Sequence, residues 1–173
     1  MDLVSATLET ETVKEVKEIK DTRVFVKLKK LPHYDVTWSL PQYESTGAAG
    51  ADVKAALGHG EKMVIKPGER LLIPTGLSME IPHGFEVQVR PRSGLSFKTG
   101  LLILNSPGTI DSDYRGEVKV IMGNLGKKDE IITHGDRIAQ LVLCPVTQAV
   151  FTDDPELSET ARGAGGFGST GMK

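Results

Sequence analysis

The stretch Arg70-Leu-Leu-Ile-Pro-Thr-Gly-Leu-Ser-Met-Glu-Ile-Pro-His-Gly-Phe-Glu-Val-Gln-Val-Arg-Pro91 decides the fold class. It contains three short segments rich in apolar residues, each cut off at a proline. Arg70–Ile73 stops at Pro74-Thr-Gly76, Leu77–Ile81 stops at Pro82-His-Gly84, and the alternating Phe85–Arg90 stops at Pro91. Alternation of period two with Gly/Pro stops is the mark of short strands. The rhythm continues outward. Arg23–Leu28 alternates upstream, and Leu101–Leu104, Glu117–Ile121 and Ile138–Leu143 follow downstream. Strands at this spacing predict an all-β sandwich or barrel and not a parallel α/β sheet. The one helical piece is Ser93–Lys98, with Ser93 as N-cap after Pro91-Arg92.

The chain has 173 residues, which suits one domain with a sizeable core plus tails. Residues 1–21 are rich in Glu, Lys and Thr and read as a mobile N-terminal extension, although Val13, Val16 and Ile19 are spaced for a weak helical turn or two. Residues 22–151 form the strand-rich domain, and 152–173 a C-terminal arm. A net charge of -2 argues against a general nucleic-acid binder, which carries a broad basic surface. It leaves room for an anionic small molecule, since a few arginines and backbone N–H groups make a local anion site. The single cysteine, Cys144, excludes an internal disulfide and reads as buried packing. No apolar run approaches a membrane span, and no signal or transit segment is recognisable. A cytoplasmic protein with no membrane or nucleic-acid partner is expected, or a nuclear one in a eukaryotic cell.

Chemistry concentrates in five places. Gly108-Thr-Ile-Asp-Ser-Asp-Tyr-Arg-Gly116 presents Asp111, Asp113 and Tyr114 on a turn next to the strand Glu117–Ile121, although a polar hairpin tip would use the same residue types. Ala48-Ala-Gly-Ala-Asp-Val53 sets Asp52 where a Gly-containing loop enters a strand. Pro91-Arg-Ser-Gly94 offers a cation, a hydroxyl and free N–H groups at a helix start, a suitable anion site. Gly135-Asp-Arg-Ile-Ala-Gln140 puts an acid, a base and an amide at the mouth of an apolar strand. The fifth is Arg162-Gly-Ala-Gly-Gly-Phe-Gly-Ser-Thr-Gly171, which has five glycines in ten residues and reads by itself as a flexible linker.

In this order and at this spacing, the five segments resemble the motifs of the trimeric dUTPase family over about residues 23–171. The resemblance implies a β jelly roll assembled as a homotrimer with active sites shared between subunits. It also implies Mg²⁺-dependent hydrolysis of dUTP to dUMP and pyrophosphate, which keeps uracil out of DNA and supplies dUMP for thymidylate synthesis. By the same resemblance Asp111 orients the water that attacks the α-phosphorus, a role in which positioning and charge outweigh proton affinity. Tyr114 would lie under the deoxyribose and exclude a 2′-hydroxyl. Asn105, Gly108 and Ile110 would surround the uracil and sugar, with Pro107 removing one N–H from that turn. Arg92, Ser93, Gly94 and Gln140 would contact the phosphates, and Asp52 would reach the Mg²⁺ through water. From the arm, Arg162, Ser169 and Thr170 would contact the γ-phosphate while Phe167 stacks over the base, closing as a lid.

Other residues near these motifs read as structural. Asp113 is expected to bond backbone N–H groups or pair with Arg115, and Asp136 and Arg137 to hold their loop. The four histidines, His33, His59, His83 and His134, show no ligand-like pairing and are expected on loop surfaces, so no zinc site is expected. A dCTP deaminase on the same fold would need a glutamate beside the pyrimidine, where this chain has Asp-Ser-Asp-Tyr. A non-catalytic nucleotide-binding regulator could have lost Asp111 or the Gly-rich arm, but both are present.

Overall fold

A computed structural model describes residues 23–166; the extension 1–21 and the arm residues Phe167, Ser169 and Thr170 lie outside the described residues. Eleven strands and one short helix are described. In chain order they are β1 (Lys27–Lys30), β2 (Gln42–Tyr43), β3 (Ala51–Lys54), β4 (Lys62–Ile65), β5 (Arg70–Glu80) and β6 (Phe85–Arg90). Then come α1 (Ser93–Lys98), β7 (Leu101–Ile103), β8 (Gly108–Ile110), β9 (Glu117–Asn124), β10 (Glu130–Thr133) and β11 (Arg137–Pro145). One sheet has the order β1-β5-β9-β7 and another β2-β3-β11-β6-β8, with the ribbon β10-β4 beside them. Each pairing is antiparallel. The all-β jelly-roll expectation with one short helix holds.

The core lies between the two larger sheets. Ile73, Leu77 and Met79 of β5 and Val118, Val120 and Met122 of β9 meet Val53 of β3, Val87 and Val89 of β6, and Ile138 and Leu141 of β11. In β9 the buried side chains alternate with more exposed ones from Glu117 to Ile121, as a one-face strand requires.

The proline-containing turn expected at Pro74-Thr-Gly76 is not a turn. β5 runs straight through it as one strand, and the register to β9 slips between Pro74 and Ser78. A bulge tolerates a proline where a ladder position would not. Three contacts hold it. The buried Thr75 hydroxyl donates to the Val118 carbonyl at 2.6 Å. Glu117 Oε1 accepts from the Gly76 N–H at 2.9 Å and also bonds the His33 ring at 2.7 Å. Gly76 itself has φ +67°, and a Cβ there would sit 2.9 Å from the Tyr34 backbone.

Two further expectations change. Ser93 does not cap the helix: the N-cap residue is Arg92, in extended conformation and without a side-chain cap bond. The first strand covers Lys27–Lys30 instead of Arg23–Leu28. A second fixed point is Asn124, which is 1% exposed. Its amide donates to the carbonyls of Ile65 and Lys128, each at 2.8 Å, and its oxygen accepts from the Gly126 N–H at 2.8 Å. One side chain thus joins the ends of β4 and β9 to the loop that follows.

Replacing Gly76 with Ala is expected to cost roughly 1–3 kcal/mol from the left-handed backbone alone, with the Tyr34 contact adding to it. Urea unfolding measures the loss. Glu117 gives a pH signature. Burial pushes its carboxyl up, but the bonds from His33 and the Gly76 N–H outweigh burial and hold it below its ordinary value. A depressed carboxyl stabilises the fold above the unfolded-state value of about 4.5, and that contribution is lost as pH falls through the folded value. Glu117→Gln should therefore be less stable than the parent at neutral pH, with the difference shrinking in acid.

Candidate active site

Four strands of the larger sheet carry a row of polar side chains. Gln42 of β2 faces Asp52 of β3, Asp52 faces Gln140 of β11, and Gln140 faces Arg90 of β6. Direct cross-strand partners point to the same side of a sheet, so two residues far apart in sequence, Asp52 and Gln140, become neighbours. Asp52 is half-buried and held between two guanidinium groups. Arg92 Nε lies 3.0 Å from its Oδ1 and Arg137 Nη1 3.2 Å from its Oδ2. Arg137 also pairs with Glu44 at 3.2 Å, and Arg92 donates to the Arg137 carbonyl at 3.1 Å. Gln140 donates to the Pro91 carbonyl at 2.8 Å, which ties the start of the α1 loop to β11. Gly50 makes this arrangement possible, because a Cβ there would fall 2.4 Å from Gln140 Oε1. Ser93 and Gly94 are exposed at the first turn of α1, beside this cluster.

The Gly108–Gly116 segment sits on β8 and the turn after it. Gly108 is buried against Val89, with Asn105 Nδ2 3.0 Å from where its Cβ would be. Ile110 packs into the core and forms one wall of a cleft of about 410 Å³ that Asp111, Tyr114, Leu72, Glu117 and Lys119 also line. Asp111 is exposed, and its carbonyl accepts from the Tyr114 N–H at 3.2 Å to close the turn. The Tyr114 hydroxyl donates to the Glu117 carbonyl at 3.0 Å. The ring lies over Gly116, where a Cβ would be 2.4 Å from the hydroxyl oxygen.

The two groups are not together in one chain. Ile110 pairs with Val87, while Arg92 lies five residues further along, just past the end of β6. At about 3.3 Å per residue, that separates the two levels by on the order of 16 Å. Arg162 is placed with neither group. It is exposed and donates to the Gly165 carbonyl at 2.8 Å, next to a turn closed by the Gly163 N–H on the Thr160 carbonyl.

Several sequence readings need correction. Arg115 does not pair with Asp113 but donates to the carbonyls of Ser112 and Tyr114, at 2.7 and 2.9 Å, which folds the turn. Cys144 is half-buried, 3.7 Å from the Arg90 guanidinium. The histidines are not all surface residues without pairing. His134 has a largely covered side chain stacked on Trp38, and His59 and His134 both face Asp35. Asp35 carried no motif signal, and nothing in the spacing of 35, 59 and 134 reveals the meeting. Glu44 likewise escaped the sequence reading, since only its place beside Arg137 marks it.

Two separate polar clusters on an antiparallel β-sandwich define the class, and comparison with known proteins defines the family. The dUTPase family model matches residues 36–171. The deoxyuridine 5'-triphosphate nucleotidohydrolase of Rhizobium etli strain CFN 42 is 62% identical over 133 residues, covering 77% of this chain and 85% of that one. The protein of the same name from Methylocella silvestris is 55% identical over 144 residues, covering 83% and 89%. Among solved structures, a dUTPase of Staphylococcus bacteriophage 80alpha with dUpNHpp superposes with a TM-score of 0.74 at 27% identity, over 85% of this chain and 98% of that one. The chain belongs to the dUTPase family.

Gly50→Ala is expected to push the Gln140 amide off the Pro91 carbonyl and to lower stability by about 1–3 kcal/mol through overpacking. Thermal unfolding measures the second effect, and a crystal structure of the variant the first.

Proposed function

We infer that the protein is a dUTP diphosphatase, hydrolysing dUTP to dUMP and pyrophosphate. The observation that carries this reading is the family match across residues 36–171, shared with relatives named for that reaction at 55–62% identity. The residue roles below are our proposal.

Asp111 projects from a closed turn into open space and holds the attacking water by accepting its proton in a hydrogen bond. Tyr114 offers its ring face to the sugar, because its hydroxyl is already committed to Glu117. A 2′-hydroxyl pressed on that face would have no partner, which disfavours UTP. Asn105, Gly108 and Ile110 bound the base, where the small Gly108 permits close approach. Arg92, Ser93, Gly94 and Gln140 receive the phosphates, stabilising charge as the pyrophosphate leaves. Gly94 has open space where a Cβ would be, so no packing among the described residues explains the glycine; a phosphate lying close to the backbone would.

The donor set suits Mg²⁺ held at one remove. Both oxygens of Asp52 already accept from a guanidinium, yet a carboxylate keeps lone pairs for coordinated waters. Mg²⁺ retains several waters and takes the rest of its oxygens from phosphates. When bound, it would neutralise charge on the triphosphate oxygens.

A single chain cannot bring Asp111 and Arg92 to one phosphorus across a gap on the order of 16 Å. We therefore propose that each site is built between copies, in a homotrimer, with Arg162 and the arm beyond it supplied to a neighbour. Exposed apolar side chains at Phe25, Phe97, Val150 and Phe151 support association. Bacterial relatives and a lone cysteine favour the cytoplasm. Among the described residues no helix is long and apolar enough to cross a membrane.

Asp111→Asn should bind dUTP but turn it over about a hundredfold or more slowly, as read by pyrophosphate release with Mg²⁺. UTP turned over as fast as dUTP would refute the role of Tyr114. Mixing tests the shared site. Asp111→Asn and Arg92→Ala are each expected to be nearly inactive, but refolded together they should regain about one quarter of parental activity, the share of random trimer interfaces with both residues intact. No recovery would place both residues in one chain's site.

A further inference from the structure

Away from the nucleotide residues, three tight turns bring Asp35, His59 and His134 together. Asp35 lies in the loop after β1, His59 between β3 and β4, and His134 between β10 and β11. His134 Nε2 is 3.1 Å and His59 Nε2 3.6 Å from the same oxygen, Asp35 Oδ2, and one ligand atom from each of the three side chains lies within 4.8 Å of the others. We propose that this cluster is a binding site for a divalent transition-metal ion of the zinc class, held by Asp35 Oδ2 and the Nε2 atoms of His59 and His134.

Three observations support it. The first is spacing. Zinc bonds to nitrogen and oxygen of about 2.0–2.1 Å in a tetrahedron put neighbouring ligand atoms about 3.3 Å apart, and the two measured edges bracket that value. The second is orientation of the carboxylate. Asp35 Oδ1 is taken by the Thr37 N–H at 2.8 Å and the Thr37 hydroxyl at 2.7 Å, leaving Oδ2 turned toward the imidazoles. Outer contacts of this kind are how proteins aim metal ligands. The third concerns His134. Its ring packs beside Trp38 with centroids 4.6 Å apart, and its Nδ1 is buried with no hydrogen-bond partner among the described residues. That atom is unpaired whichever nitrogen carries the proton, so the distinction lies at Nε2. With the proton on Nδ1, a bare Nε2 faces Asp35 Oδ2 at 3.1 Å, a repulsive contact that a cation between them turns into two bonds.

The turns themselves are set by backbone bonds: Trp38 N–H to the Asp35 carbonyl, Glu61 N–H to that of Gly58, and Asp136 N–H to that of Thr133. The three backbone turns are thus formed before any ion arrives. Mg²⁺ does not suit the place, since it prefers an all-oxygen octahedron. The ion would tie together three loops, one of which leads into Arg137, without belonging to the nucleotide contacts.

The test uses the full chain, freed of metal with a chelator and desalted. Titration with Zn²⁺ against a chromophoric zinc indicator should find one ion per chain, and Co²⁺ should give the visible absorption of a low-coordinate nitrogen–oxygen site. His59 is almost wholly exposed, so His59→Ala should fold normally yet weaken Zn²⁺ binding about tenfold or more. Asp35→Asn should do the same, while Asp52→Asn, at the proposed Mg²⁺ position, should leave it unchanged. Added Zn²⁺ should raise the unfolding temperature of the parent but not of His59→Ala. The proposal is overturned if the parent takes up no Zn²⁺, if His59→Ala and Asp35→Asn bind as the parent does, or if only Asp52→Asn loses the ion. None of these readings depends on dUTP hydrolysis.

Discussion

The slip in β5 between Pro74 and Ser78 is the constraint from which much of the molecule follows. Below it the strand pairs with β9 alone, and above it with β1 through Leu77 to Glu80 and with β9 again at Ser78. Four steps along β5, from Pro74 to Ser78, lie opposite two along β9, from Lys119 to Glu117, so extra chain has to be taken up between them. Thr75, Gly76 and Glu117 absorb it with a buried hydroxyl, a left-handed glycine and a carboxylate. The same Glu117 lies at the start of the strand that follows Tyr114, and its carbonyl holds the tyrosine hydroxyl. The bulge and the Asp111 turn are therefore mechanically joined.

The Arg92 side is organised by charge where the Asp111 side is organised by shape. Asp52 between Arg92 and Arg137 holds two cations together and partly neutralises them. The pair is partly exposed, so its contribution to stability is modest. Its value lies in geometry. Gly50 and Gln140 fit together at the same place for the same reason, since the amide needs a wall without a side chain.

Most of the sheet was legible from alternation, and the places where reading failed share a physical cause. Pro74-Thr-Gly76 has the composition of a turn, and only its pairing with β9 on both sides of the slip makes it a bulge. β2, β4, β8 and β10 are two to four residues long, too short for period two to stand out. Ser93 is a good cap by type, but the chain enters the helix one residue earlier. Of the site, the motif residues could be named in advance because they cluster in sequence. Glu44, Asp35 and the covered face of His134 could not, because each matters only through partners brought in by the fold. The distance between Asp111 and Arg92 was equally invisible until the register of β8 on β6 was known.

Tyr114 and Gly116 show how a family can drift at such a site. The ring occupies the space that a side chain at 116 would enter, so a larger residue there has to displace it. Tyr114 is half exposed, and the ring has room to swing outward into solvent. A substitution at Gly116 would therefore be felt first at its neighbour, and the two positions form one steric unit.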